Sequence, residues 1–321
     1  MKKITIIIPM YNEEKNIKNC INTLLQQTSQ NFHVIFIDDG STDTTVEILV
    51  NLLKQKTNNQ NFSYELLSQT NAGAAKAREN GINACKSIYA MILDCDDLLS
   101  KNTVELHLKT IDENNDIDIL LPQAMIESAI GYKKLPFYND AKMLTGEECL
   151  QNSLGYWGVH GWACIKREIF IKSYSIYNEY NKLEENYINN DEIITRFNFL
   201  YAKKIIKNDA IYYYQFNENS TTKKINLKMF LICKNAIILH KVLSPINITL
   251  NQKSSQELIS VLWGILRFTI KNKNTLPNIL EWKTEIKQTL KYIKNCDIKK
   301  LNLPIKSKVQ LLLIPFLIKI I

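Results

Sequence analysis

The sequence contains no Cys-x-x-Cys pair, and its seven cysteines (Cys20, Cys85, Cys95, Cys149, Cys164, Cys233 and Cys296) are scattered and odd in number. That argues against a disulfide framework or a zinc site and for a reducing compartment. The four histidines, His33, His107, His160 and His240, have no metal-ligand spacing. No run of about 18 apolar residues occurs, so no membrane-spanning helix is expected. The apolar run after Met1-Lys2-Lys3 stops at Pro9, too short for a signal peptide. Glycine is scarce, at nine residues in 321. None lies in Met10-Tyr11-Asn12-Glu13-Glu14, where a nucleotidyltransferase would carry a Gly-rich basic loop.

What is present is ordinary globular composition, 45% hydrophobic and 22% charged. The length suits one sizeable α/β domain with an appendage. The net charge of +8 is unevenly spread: residues 223–321 hold 18 Lys or Arg against four acids, a net +14, leaving the other 222 residues at −6. Only the C-terminal third is therefore suited to an anionic partner, with nucleic acid and anionic lipid as the two candidates.

Residues 3–9 form a β-branched run and Val34–Ile37 a second, both expected as buried parallel strands. Phe62–Leu67 and Tyr89–Leu93 read as two more. Helical spacing of apolar residues predicts helices over Glu13–Gln27, after a cap at Thr42 or Asp43, and over Asn71–Ala84. Strand and helix thus alternate, which predicts a parallel sheet whose ligands bind beyond the strands' carboxyl ends. Further on, Ile117–Leu121 and Ala210–Phe216 read as strands, and Asp191–Ala202, Met229–Leu243, Glu257–Ile270 and Glu281–Ile293 as helices. The fold class is α/β with a C-terminal helical extension. Its divisions are 1–105, 106–222 and 223–321, the last a basic helical region.

Three clusters follow strand ends. Asp94-Cys95-Asp96-Asp97 sets three carboxylates within four residues, which repel unless a cation or solvent compensates. Oxygen ligands suit Mg²⁺ or Mn²⁺; a polar turn capping the next helix would look the same. Asp38-Asp39-Gly40-Ser41-Thr42-Asp43 could equally be an ordinary strand-to-helix loop. Asn71-Ala72-Gly73-Ala74-Ala75-Lys76-Ala77-Arg78 opens a helix with small residues and two cations. Its helix start favours an anion, while close helix–sheet packing would explain the alanines alone.

Together with Pro9-x-Tyr11-Asn12-Glu13-Glu14, Gln26-Gln27-Thr28, Ala77-Arg78-x-x-Gly81 and Leu93-Asp94-Cys95-Asp96-Asp97, the ordered set resembles the family 2 glycosyltransferases, over about the first 100 residues. Gly161-Trp162-Ala163-Cys164, Asn190-Asp191-Glu192 and Tyr212-Tyr213-Tyr214-Gln215 extend the resemblance more thinly. The resemblance implies the GT-A fold, a mixed, mainly parallel sheet flanked by helices. It implies a nucleotide-sugar donor, a UDP-sugar by preference, and a bound Mn²⁺ or Mg²⁺. Tyr11, Glu13 and Asp39 would line the nucleobase and ribose pocket, Asp94 would face ribose and diphosphate, Asp96 would hold the metal, and Arg78 would sit near the donor. Pro9, Asn12, Asn71, Gly73 and Cys95 belong to the same donor set. Asp191 falls where the family carries its general base, which implies direct displacement with inversion. Two departures stand out: Asn190 replaces the usual acid, which leaves Glu192 as a competitor, and Gln215 stands where arginine is common.

Trp157, His160 and Trp162 are candidates for the acceptor side, since sugars stack on aromatic faces, although core packing uses the same residues. The acceptor is expected to be a glycan or a lipid-linked hydroxyl. The apolar tail 303–321, flanked by lysines and interrupted by Pro315, suits an interfacial anchor on an anionic membrane, or else a subdomain whose tail packs on the body. The acidic body opposes nucleic acid as ligand. By family analogy the setting is the cytoplasmic face of a bacterial inner membrane. A nucleotidyltransferase, or a non-catalytic membrane-associated sugar- or nucleotide-binding protein, are the rival readings.

Overall fold

The computed structural model describes residues 2–320 apart from 58–61, 115, 138, 140, 156–161, 184, 186 and 216–225. The chain opens with strand β1 (Ile4–Met10), helix α1 (Ile17–Leu25), β2 (Phe32–Asp38), α2 (Thr45–Thr57), β3 (Ser63–Ser68), α3 (Ala74–Ala84) and β4 (Tyr89–Ile92). Every residue of β1 and β4 is buried, as expected of strands covered by helices on both faces. Strand β1 pairs in parallel with β2, from Ile4 beside Phe32 to Met10 beside Asp38, and on its other side with β4. Strand β3 pairs in parallel with β2. Helix α3 lies close on β1 because residue 81 is glycine: a Cβ there would stand 2.3 Å from Cγ2 of Ile7.

The sheet continues through β5 (Leu98–Leu99), helix α4 (Thr103–Glu113), β6 (Ile119–Ser128), β7 (Gly131–Lys134), β8 (Met143–Thr145), α5 (Gly146–Ser153), β9 (Cys164–Lys166), α6 (Arg167–Tyr180), α7 (Asn190–Tyr201) and β10 (Lys204–Tyr214). Its order is β3-β2-β1-β4-β9-β6-β10-β5, with β7 beside β6 and β8 beside β10. Strand β9 runs antiparallel between β4 and β6, whereas β6 and β10 are parallel, so the sheet is mixed. The last elements are α8 (Ile232–Leu243), α9 (Ile248–Asn272), α10 (Ile279–Asn295) and α11 (Ile305–Leu317).

The chain divides into two compact units. The first comprises 1–150, 158–179 and 194–218; the second comprises 151–157, 180–193 and 219–321. The first has a core of sheet residues such as Ile6, Phe36, Met91 and Tyr212 with Ile21 and Leu24 of α1. The second has its own core, in which Trp282, fully buried, packs between Phe230 and Phe268, each with ring centroids 5.3 Å away.

Several expected boundaries move. Helix α1 starts at Ile17 rather than Glu13, because residues 13–16 form a turn in which the Glu13 carbonyl accepts from the amides of Asn16 and Ile17. Helix α3 starts at Ala74 rather than Asn71. Strand β10 begins at Lys204, six residues before the expected Ala210. Its polar Lys207-Asn208-Asp209 interrupts the apolar pattern, and the chain takes it up as a register shift against β6 between Lys207 and Ile211. Helix α9 extends back to Ile248, capped by Asn247, whose side chain accepts from the Leu250 amide at 2.8 Å. Pro315 does not end α11; it sits near its last turn. Among the described residues no helix is long and apolar enough to cross a membrane.

Candidate active site

The loops that leave β1, β2 and β4 at their carboxyl ends are tied together. Asn12 takes a left-handed conformation, φ 56°, and its Oδ1 accepts from the Thr42 amide at 2.8 Å. The amide of Asn12 donates to Ser41 Oγ, at 3.0 Å, and that of Glu13 to Thr45 Oγ1, at 2.7 Å. Asp43, rather than Thr42, serves the start of α2: its Oδ1 accepts from the Thr45 amide at 2.9 Å. Pro9 is buried inside β1 beside Ile37, while Tyr11 stands 47% exposed at the strand's end.

Asp39 is buried and held by three donors: the amides of Ala72 and Gly73, at 2.7 and 2.8 Å, and Gln69 Nε2 at 2.8 Å. The carboxylate at the head of α3 is thus the protein's own Asp39. Gly73 has φ 88° and ψ 159°, a conformation that only glycine adopts without strain. The two cations of α3 face carboxylates as well: Lys76 lies 3.1 Å from Glu79 and Arg78 lies 2.7 Å from Asp94. Asn71 is exposed at the rim.

The carboxylates after β4 have three different surroundings. Asp94 pairs with Arg78. Asp97 is buried; its Oδ2 accepts from the Tyr212 hydroxyl at 2.7 Å and its Oδ1 from the Gln215 amide at 2.8 Å. Burial, aided by Asp94 and Asp96, pushes its pKa up to about 8. Asp96 is half-buried between them. Burial also raises Glu13 to about 7, with Asp96, Asp94 and Asp43 adding to the rise against the hydrogen bond from Asn16. The hydrogen bonds of Asn12 and Glu13 to Ser41, Thr42 and Thr45, with the Asp39–Gly73 and Arg78–Asp94 contacts, bring the three loops together. Cys95 does not share their exposure: its side chain is buried, hydrogen-bonded with Cys20, and leaves only its backbone to a ligand.

Trp162 stacks on Tyr212, with centroids 5.0 Å apart and planes at 16°, and lies 5.5 Å from Tyr214. It is packed against the core of the first unit. Tyr212 in turn accepts from the Asp94 amide at 3.3 Å. Trp157 and His160 lie outside the described residues.

Asp191 and Glu192 stand in the first turn of α7, within the second unit, Asp191 exposed and Glu192 half-buried. Ile188 and Asn189 ahead of them both have positive φ, 61° and 51°. Such a conformation is costly for a β-branched isoleucine. Asn235 of α8, itself buried, holds it: its Nδ2 donates to the Ile188 carbonyl, Asn189 Oδ1 and Asn190 Oδ1 at 2.6, 3.0 and 2.9 Å.

Among the described residues no three His, Cys, Asp or Glu side chains gather as a complete metal cage. The donor set fits a hard divalent ion held by one or two carboxylates and substrate phosphates, the usual arrangement for Mg²⁺. Sequence reasoning assigned no role to Gln69, Asp97, Tyr212 or Asn235. Asp97 and Tyr212 lie inside motifs already singled out; Gln69 and Asn235 carry no local pattern that would reveal them.

A mixed, mainly parallel sheet with acidic loops meeting at its carboxyl edge defines an α/β protein built to hold a ligand at that edge. The family model described as glycosyl transferase family 2 matches residues 5–172, just over half of the chain, and the chain belongs to that family. It is 27% identical over 218 residues to glycosyltransferase GlyG of Streptococcus pneumoniae, covering 66% of this chain and 70% of that one. It is 30% identical over 180 residues to the uncharacterized glycosyltransferase YibD of Escherichia coli, covering 53% of this chain and 50% of the relative. Among solved structures, TarS residues 1–349 of S. aureus in complex with UDP-GlcNAc superposes with a TM-score of 0.67 at 20% identity, over 99% of this chain and 87% of that one. The fold is therefore that of the GT-A glycosyltransferases, and the enzyme is a glycosyltransferase.

Proposed function

We propose that the protein moves a sugar from a nucleotide diphosphate donor, a UDP-sugar, to a hydroxyl of a glycan or lipid-linked acceptor, with inversion. The observation that carries the donor half is the convergence of Glu13, Asp39, Arg78, Asp94 and Asp96 on loops tied to one another at the edge of β1, β2 and β4. The UDP-GlcNAc held by the TarS structure supports the same choice of donor. In this reading residues 1–105 bind the nucleotide, 106–222 bind the acceptor, and 223–321 meet an anionic membrane surface rather than nucleic acid. The working place is then the cytoplasmic face of a bacterial inner membrane.

Tyr11, with its exposed ring, lines the base pocket with Glu13, and Pro9, Asn12, Asn71 and Gly73 shape its wall. Asp39 fixes the loop 71–73 that borders it. Arg78 and Asp94 orient the ribose and diphosphate as a pair. Asp96 would hold Mn²⁺ or Mg²⁺ with the donor phosphates; such an ion supplies Lewis-acid neutralisation of charge on a leaving diphosphate. Asp191 takes the proton from the acceptor hydroxyl as it attacks the anomeric carbon. Its exposure suits a base that must reach a substrate. Trp162, and Trp157 and His160 in the segment before it, belong to the acceptor side.

The test is a panel of nucleotide sugars with Mn²⁺, followed by release of the nucleoside diphosphate. UDP-sugars should be hydrolysed slowly without acceptor, and Asp96→Asn should lose that activity by at least about 100-fold, the scale of one lost electrostatic contact to a developing charge. Asp191→Asn should abolish transfer and Glu192→Gln should not. Loss of transfer only in Glu192→Gln would move the base to Glu192. Binding of UDP-sugar with no hydrolysis and no transfer would favour the non-catalytic reading.

A further inference from the structure

Helix α11 carries apolar side chains on two faces: Leu311, Ile314 and Leu317 pack on the core of the second unit, and a second set faces solvent. Its buried face includes Ser307 and Gln310 beside Ile314, while Ile305, Val309, Leu312, Leu313 and Phe316 face outward. The exposure is large: 80% at Ile305, 69% at Leu312 and 65% at Phe316. At about 100° per residue these outward side chains fall within one stripe about 100° wide, on a helix about 20 Å long. The same count sets Lys306 on one edge of the stripe and Lys308 on the other, and Lys319 follows in a 3-10 turn over Ile318–Ile320. All three lysines are exposed, and Lys319 Nζ stands 6.0 Å from the centroid of the Phe316 ring. The end of this segment is fastened to α9, where Lys273 Nζ donates to the Ile320 carbonyl at 3.4 Å. Residues 298–321 contain no acid.

We propose that the outward face of α11 lies in the interface of an anionic bilayer, with Leu312, Leu313 and Phe316 among the acyl chains and Lys306, Lys308 and Lys319 at the level of the lipid phosphates. An apolar stripe edged by cations on both sides matches that layered environment, in which long lysine side chains reach back to the headgroups. A second copy of the chain fits less well. Two such faces laid together would oppose lysine to lysine, with no acid in 298–321 to pair them. The proposal rests on the reading of the protein as a transferase working at a membrane, and it identifies which surface makes the contact.

The test uses the full chain with vesicles of phosphatidylcholine alone and of phosphatidylcholine mixed with phosphatidylglycerol. The protein should float with the mixed vesicles and not with the neutral ones. Leu312→Asp/Phe316→Asp and Lys308→Glu/Lys319→Glu should each lower partitioning at least tenfold, at unchanged melting temperature, since all four side chains are exposed. Equal flotation of the Asp double variant overturns the proposal, as does a wild type that stays with solvent. A wild type that is dimeric without lipid and made monomeric by the Asp substitutions assigns the face to a second copy instead. Release of UDP from a UDP-sugar in solution should be the same in wild type and both variants. Its absence from all three would sink the transferase reading while leaving the flotation result to judge the surface.

Discussion

Among the described residues Asp97 is the most deeply buried acid. It is 1% exposed and neighbours Asp94 and Asp96, and its pKa lies near 8 rather than 3.8. Between those values the folded protein keeps a proton that the unfolded chain releases. Stability therefore falls as pH rises through that window, at most by about 1.4 kcal/mol per pH unit. Glu13 adds to the fall between 4.5 and about 7. His107 and His240, which burial lowers from 6.5 to about 4, oppose that fall below pH 6.5. The clean window lies above that pH: metal-free protein should melt higher at about pH 6.5 than at about pH 8. Asp97→Asn, which copies the protonated acid, should flatten that slope and melt higher than wild type at the alkaline end. A thermal-shift series in chelator checks it, and an unchanged slope would refute the assignment. Asn235 offers a second test at this scale. Removing its amide leaves the strained Ile188-Asn189 turn without its buried partner, at a cost of about 1–3 kcal/mol. If that turn aims Asp191, Asn235→Ala should cut kcat for transfer at least about tenfold, the weight of 1.4 kcal/mol, with little change in KM for the donor. A parallel loss of donor affinity would mark Asn235 as merely structural.

At the level of elements, the sequence is most legible where one period dominates. The β-branched runs at 3–9 and 34–37 read as buried parallel strands, found at Ile4–Met10 and Phe32–Asp38, which sets the polar clusters after them at one sheet edge. Strand β9 is illegible because three residues are too few to carry a period, and its antiparallel placement between β4 and β6 is a tertiary choice. The head of α3 shows a subtler limit. Its small residues and cations suit an anion or close packing, and the Ala72 amide there donates to Asp39, 33 residues earlier, a contact that sequence spacing cannot show. Two glycines of this region have separate duties that substitution should reveal. Gly73→Ala places a side chain at φ 88°, should cost about 1–2 kcal/mol, and loosens the grip on Asp39. Gly81→Ala drives a methyl against Ile7 and should cost about 1–3 kcal/mol by overpacking. Urea titration should show both losses, with weaker UDP binding in Gly73→Ala but not in Gly81→Ala once each is folded.

For the whole molecule, the separation of charge follows the separation of duties proposed above. Residues 223–321 carry +14 and the remaining 222 residues −6. A nucleotide sugar is anionic, yet the proposed donor site sits among carboxylates, so in that reading long-range attraction by the body would not bring the donor in; local pairing with Arg78 and a divalent ion would do that work. The basic third instead gathers attraction over a wide area, which is what a charged membrane rewards and a small ligand does not. Salt distinguishes the two, because exposed charges more than about 10 Å apart are screened at 0.1 M while close, half-buried pairs are screened far less. Raising salt from about 0.05 to about 0.5 M should therefore lower transfer to an acceptor embedded in anionic vesicles by at least tenfold. UDP release from the donor in solution should change by less than about twofold over the same range. Equal salt sensitivity of both reactions would show that the basic third serves the donor site and not the membrane.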